Sequence, residues 1–198
     1  MGVPSCGANR LGGNSLSDLV VFGKRAGEYA AAFAKGQGAV AVKKDEVDTV
    51  ARQALEPFER GAGEGAYQVQ RDLQQVMQTQ VGIVRNQGDL ENALQALPGL
   101  RARAGRVAVE GNREYNPGWH TSIDLRSLLT VSEAVVRSAL ERKESRGGHF
   151  REDYPDKHEE FGKVNLIVRK GDDGTMRVSR EPVPEMSAEL KEIVKEMK

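Results

Sequence analysis

Gly7–Gly27, GANRLGGNSLSDLVVFGKRAG, is the stretch on which the reading of this chain turns. Gly7 to Gly13 is a glycine-punctuated loop carrying one cation, Arg10. Asn14 and Ser15 are helix N-cap types, and Ser15 with Asp18 fits the S-x-x-[DE] helix-start pattern. Leu16, Leu19, Val20, Phe22, Gly23, Ala26, Ala30 and Phe33 then recur at roughly helical period. The pattern predicts a flexible loop that delivers the chain into the N-terminus of an apolar helix. Free N–H groups at such a terminus attract anionic or electron-rich atoms. Gly12 and Gly13 lack a Cβ and allow close backbone approach. Arg10 offers a planar donor fork for a carboxylate or phosphate. The same residues also suit a plain surface turn that caps a core helix.

The order of residues narrows the choice. Asn9-Arg10-Leu11, then Asn14-Ser15-Leu16, then Val21-Phe22-Gly23 closely resembles the distal flavin-binding segment of succinate dehydrogenase/fumarate reductase flavoprotein subunits. The related L-aspartate oxidases usually carry other small residues in place of Gly12-Gly13, so the resemblance favours the dehydrogenase/reductase branch. It implies that Arg10 binds a carboxylate of a dicarboxylate substrate. It also implies that the helix start Asn14, Ser15 and Leu16 contacts FAD near its pyrimidine edge. A helix N-terminus aimed there would stabilise negative charge on the reduced flavin.

Composition sets the outer bounds. In 198 residues, 29 Lys and Arg balance 29 Asp and Glu, which gives no electrostatic case for nucleic acid or an anionic membrane. Hydrophobic residues make up 38% and aromatics 5%, lean for a self-contained globule. The single cysteine, Cys6, excludes an intrachain disulfide framework and reads as a free thiol in a reducing compartment. No apolar run approaches the ~20 residues of a membrane span. The opening MGVPSCGAN lacks a signal peptide's apolar region. The expected location is cytoplasmic, membrane-peripheral through partner subunits.

Downstream, helical periodicity dominates. Gly36-Gln37-Gly38-Ala39-Val40 is a break. Helices are expected over Lys43–Arg60, with Pro57 ending or bending the run, and over Glu64–Val84. Two more are expected over Gly88–Val109, kinked at Pro98-Gly99, and over Asp124–Lys143. Short links favour an antiparallel bundle. Gly61-Ala62-Gly63-Glu64-Gly65 has phosphate-loop glycines, but it joins two helical patterns and follows no strand, so it reads as a linker. In GNREYNPGWHT, 111–121, Asn116-Pro117-Gly118 signals a turn, Trp119 an anchor of that loop, and His120 a structural or solvated histidine. Lys163–Lys170 and Thr175–Arg180 around GDDG predict a hairpin, ended by Pro182 and Pro184. A short charged helix follows over Met186–Lys198.

Between the last long helix and the hairpin lies ERKESRGGHFREDYP, 141–155. Glu144, Arg146, His149, Arg151, Glu152 and Asp153 crowd together there. One reading is a solvated helix end with self-paired charges. The resembled family carries a similar ESRG-x-H segment, which implies a docking corner between helical and flavin domains, without chemistry of its own.

The expected fold is mainly α: an antiparallel helical bundle with a C-terminal β-hairpin and an N-terminal helix left over from a flavin-binding domain. The expected division is residues 1–40 as the distal piece of that domain, 41–148 as the bundle and 149–198 as the extension. The resemblance implies the C-terminal portion of a succinate/fumarate oxidoreductase. That enzyme moves hydride between FAD and the dicarboxylate and passes electrons through an iron–sulfur subunit. The family's dinucleotide fold precedes this motif and has no counterpart in the residues before Gly7, so the isolated chain is expected to be inactive and to retain no FAD. The alternatives are a stand-alone helical interaction module on the same scaffold and an L-aspartate oxidase fragment. Without the flavin domain's cover, the apolar face of the opening helix is expected to meet water.

Overall fold

A computed structural model describes residues 14–196, and the chain over that span is mainly helical. In order it forms α1 (Asn14–Gln37), α2 (Lys44–Glu59), α3 (Ala66–Gln80), β1 (Val84–Arg85), α4 (Gln87–Ala104) and α5 (Pro117–Glu141). Then come β2 (Phe150–Arg151), a 3-10 turn at Phe161–Lys163, β3 (Val164–Lys170), β4 (Met176–Pro182) and α6 (Ala188–Glu196).

The core is the seam between α3, α4 and α5. It buries Ala66, Val69 and Leu73, then Leu90, Ala93, Leu97 and Leu100, then Leu125, Leu129, Val136 and Ala139. These spacings are threes and fours, with one step of seven (two turns) in α5, so each helix presents one stripe to the same interior. Burying each large side chain contributes roughly 1.5–3 kcal/mol. Val81 and Val107, just beyond α3 and α4, close the ends of the seam.

Several boundaries differ from the sequence expectation. Asn116-Pro117-Gly118 is a helix start rather than a turn, and α5 begins seven residues before Asp124. The Asn116 Oδ1 accepts from the Trp119 N–H at 3.0 Å, and Pro117 occupies the first helical position. There a missing N–H costs nothing. Trp119 therefore lies in the first turn of α5. It anchors α2, because its Nε1 donates to the Ala54 carbonyl at 2.7 Å and its ring meets Phe58 edge-on. Neither Pro57 nor Pro98 ends its helix. Pro57 falls in the last turn of α2, and its carbonyl accepts from the Val109 N–H at 2.9 Å.

α2 does not join the bundle along its length. Val47 and Val50 are exposed, and the half-buried side chains gather at its C-terminal end, around buried Pro57. The linker 61–65 is stitched to the chain after α4: the Ala108 N–H donates to the Glu64 carbonyl at 3.2 Å. Gly63 makes that approach possible, since a Cβ there would sit 2.5 Å from the Arg106 carbonyl oxygen.

α1 is helical from the first described residue, Asn14, and exposes Leu16, Leu19, Val20 and Phe33. Among its described side chains only Phe22 is half-buried. The hairpin β3–β4 is antiparallel, with Val168 opposite Val178, and extends to Pro182 opposite Val164. Its turn closes through the Gly171 N–H to the Thr175 carbonyl, with Gly174 at φ +78°. Arg180 of β4 pairs with Glu141 at the end of α5 at 2.7 Å, which ties the hairpin to the bundle. A short parallel pair, β1 with β2, was not foreseen.

Candidate functional site

The polar corner is built where α5 ends. The Arg142 N–H makes the last helical bond, to the Ser138 carbonyl, and the chain leaves the helix five residues before Gly147. Arg146 and His149 then exchange backbone hydrogen bonds of 2.8 and 3.1 Å across Gly147-Gly148. Gly147 sits at φ +61°, in the left-handed region open to glycine. This tight return brings Glu144, His149 and Arg151 under the end of the bundle.

Glu144 is 0% exposed. Its Oε1 accepts from Arg142 Nη1 at 2.6 Å and Arg146 Nε at 2.9 Å. Its Oε2 accepts from Arg146 Nη2 at 3.0 Å and the His158 N–H at 2.9 Å. Burial alone would raise the carboxyl's affinity for a proton. The Arg146 fork, the His158 amide and Arg142 overcome that and hold its pKa at about 2. Every acceptor direction is engaged, so Glu144 is a permanent anion and not a proton acceptor for catalysis.

His149 is equally committed. Arg85 Nη1 donates to its Nδ1 at 3.0 Å, which leaves Nε2–H to donate to the Arg142 carbonyl at 3.0 Å. Those partners select the neutral Nε2–H tautomer. Burial lowers the imidazole's pKa below its ordinary 6.5, the Arg142 carbonyl opposes this, and the surrounding Arg85, Arg151 and Arg142 charges reinforce it.

Arg151 is fully buried and caps α5 from below. Its Nη1 donates to the Ala139 carbonyl at 2.6 Å, and its Nε and Nη2 grip Asp153 at 2.7 Å each. That grip, more than any other contact, holds the Asp153 carboxyl below its ordinary range. Asp153 in turn accepts the Gln87 N–H at 3.0 Å at the start of α4. Ser145 Oγ accepts the Arg151 N–H at 2.8 Å and donates to the Tyr154 carbonyl.

The solvated-end reading of 141–155 therefore fails: Glu144, His149 and Arg151 are interior groups with matched partners. Sequence reasoning missed Arg85. It lies 64 positions from His149, and no local pattern couples the two. Chemically the corner is a rigid ionic joint between the ends of α3, α4 and α5 and the hairpin.

Arg10 lies outside the described residues, as do the side chains of Asn14 and Ser15. Leu16 is 71% exposed at the first turn of α1. Among the described residues no cluster of three or more His, Cys, Asp or Glu could hold a metal ion. No helix among them is long and apolar enough to cross a membrane.

Residues 70–195 match the family described as fumarate reductase flavoprotein C-terminal. The chain is 33% identical over 185 residues to a fumarate reductase flavoprotein subunit of Mycobacterium tuberculosis, covering 89% of this chain and 32% of that one. It is 36% identical over 182 residues to the corresponding subunit of Haemophilus influenzae, covering 89% and 30%. Among solved structures, Mycobacterium smegmatis Sdh1 in complex with UQ1 aligns with a TM-score of 0.86 at 41% identity, over 94% of this chain and 32% of that one. The chain thus spans about a third of the length of the curated relatives it matches.

Proposed function

The chain belongs to the fumarate reductase flavoprotein C-terminal family, and from that premise we propose that it serves as the C-terminal portion of an FAD-dependent succinate/fumarate oxidoreductase. The observation that carries this reading is the family match across the bundle, joint and hairpin, together with identity above 30% over nearly the whole chain. Bound FAD would supply the hydride acceptor or donor for the succinate/fumarate couple. In this proposal Arg10 grips one carboxylate of the dicarboxylate, and Asn14, Ser15 and Leu16 present the helix N-terminus to the flavin. The exposed Leu16 at the first turn of α1 supports that role.

The same reading assigns residues 1–40 to the flavin-binding unit, 41–148 to the helical unit and 149–198 to the extension. The ionic joint then acts as the docking corner that sets one unit against the other, and an iron–sulfur subunit takes the electrons onward. Membrane association, in this proposal, comes through partner subunits.

The test joins this chain to the flavin-binding portion of a relative and measures fumarate reduction. Arg10→Ala should lower turnover about 100-fold, the scale expected when a positioned carboxylate contact is lost. Arg52→Ala, on the exposed face of α2, should change it less than about twofold. Equal effects of the two substitutions would refute the role given to Arg10. The unjoined chain should be colourless after gel filtration.

A further inference from the structure

A groove of about 680 Å³ runs between the C-terminal half of α5, the ionic joint and the hairpin. Its walls are apolar: Val131 and Val135 from α5, with Phe161, Val164, Leu166 and Val183 opposite. Val131 and Val183 are exposed. At its head lies Arg85.

Four arginines meet at this joint, and they are not equivalent. Arg142 and Arg146 pair with Glu144, and Arg151 pairs with Asp153. Arg85 has no carboxylate within ion-pair reach among the described residues. Its Nε donates to the Val81 and Gly82 carbonyls at 3.1 and 2.9 Å, and one Nη1 hydrogen goes to His149. The second Nη1 hydrogen and both Nη2 hydrogens have no partner among the described residues. Burial and the nearby Arg151 charge both work against the charged form of Arg85. A half-buried guanidinium is costly without a counter-ion. An anion seated end-on across Nη1 and Nη2 would form the strong two-bond geometry that guanidinium offers. His149 does not compete for it, since both of its ring nitrogens are engaged. Ser138 and Asn165 also line the groove with polar side chains.

We propose that this groove is a binding site for a small monocarboxylate with an apolar body, its carboxylate on Arg85 and its hydrocarbon between α5 and the hairpin. The volume lies in the usual range of small-molecule sites, and the lining has their usual character of apolar walls with a few converging polar groups. No described residue of α1 lines the groove, and the proposal does not rest on the flavin-dependent reading.

Hexanoate is the probe, 1-hexanol its uncharged counterpart, and the His149 ring nitrogens report locally by nuclear magnetic resonance on the chain itself. Hexanoate should shift the Nδ1 resonance in a saturable way at low-millimolar concentration. Hexanol should bind on the order of tenfold more weakly, and Arg85→Gln should weaken hexanoate by a similar factor. Val135→Glu plants a carboxylate in the partly exposed groove wall without touching the joint, and should abolish the response while the far-ultraviolet circular dichroism stays unchanged. Should Arg85→Gln fail to fold, the hexanol comparison and Val135→Glu still decide. Equal binding of hexanol, an unaltered response in Val135→Glu, or no saturation by about 50 mM would overturn the proposal. None of these readouts involves flavin or fumarate, so failure here leaves the family reading standing.

Discussion

Replacing Glu144 with glutamine removes the one anion at the centre of the joint while keeping its shape. The magnitude follows from the structure in two ways. The carboxyl's pKa falls from an ordinary 4.5 to about 2, and at about 1.4 kcal/mol per pH unit that span corresponds to about 3 kcal/mol. Independently, removing one partner of a buried ion pair costs roughly 3–5 kcal/mol. The lower end applies here because Arg146 is partly exposed and can rehydrate. The amide also points two donors at a site that already holds four, so relaxation cannot restore the lost bonds. Glu144→Gln should therefore destabilise the chain by about 3 kcal/mol at pH 7 in urea titrations. The pH dependence has a definite sign. A depressed carboxyl contributes its full stability above the unfolded value near 4.5 and loses it as pH falls toward the folded value near 2. Between pH 6 and pH 3 the gap between wild type and variant should shrink by about 2 kcal/mol, since the glutamine does not titrate. A gap that stays constant over that range would show that Glu144 is not held as a buried anion.

Arg151→Lys should destabilise by about 3 kcal/mol, because a single ammonium cannot both grip Asp153 and reach the Ala139 carbonyl; a loss below about 1 kcal/mol in thermal melts would contradict this. Leu129→Ala in the seam should cost about 2–5 kcal/mol, whereas Leu19→Ala on exposed α1 should cost less than about 0.5. Comparable losses at the two positions would mean that α1 is packed in solution. Hydrogen exchange at low protein concentration, where self-association is suppressed, should find the amides of Leu19–Ala31 exchanging far faster than those of Leu128–Leu140, and equal protection would show that α1 is well packed within the chain itself.

The helical faces were legible in the residues alone, because a stripe repeating every three or four positions has one geometric solution. Leu90, Ala93, Leu97 and Leu100 point inward for that reason wherever α4 is placed. The hairpin was legible too, through alternation and a glycine turn. Local capping chemistry was ambiguous at Asn116, where one Asn-Pro-Gly sequence serves either a turn or an N-cap, and the structure shows the N-cap. Periodicity says that a face is apolar, and it does not say what will cover it. So the sequence put α2 in the bundle, whereas the tertiary structure leaves Val47 and Val50 in water. The joint lay further from view. Charges in ESRGGHFRED read equally as solvated or buried, since burial depends on donors from distant elements. Arg85 comes from β1, after α3, and the carbonyls from the end of α5, and only the packing of these elements turns a charged run into a satisfied interior.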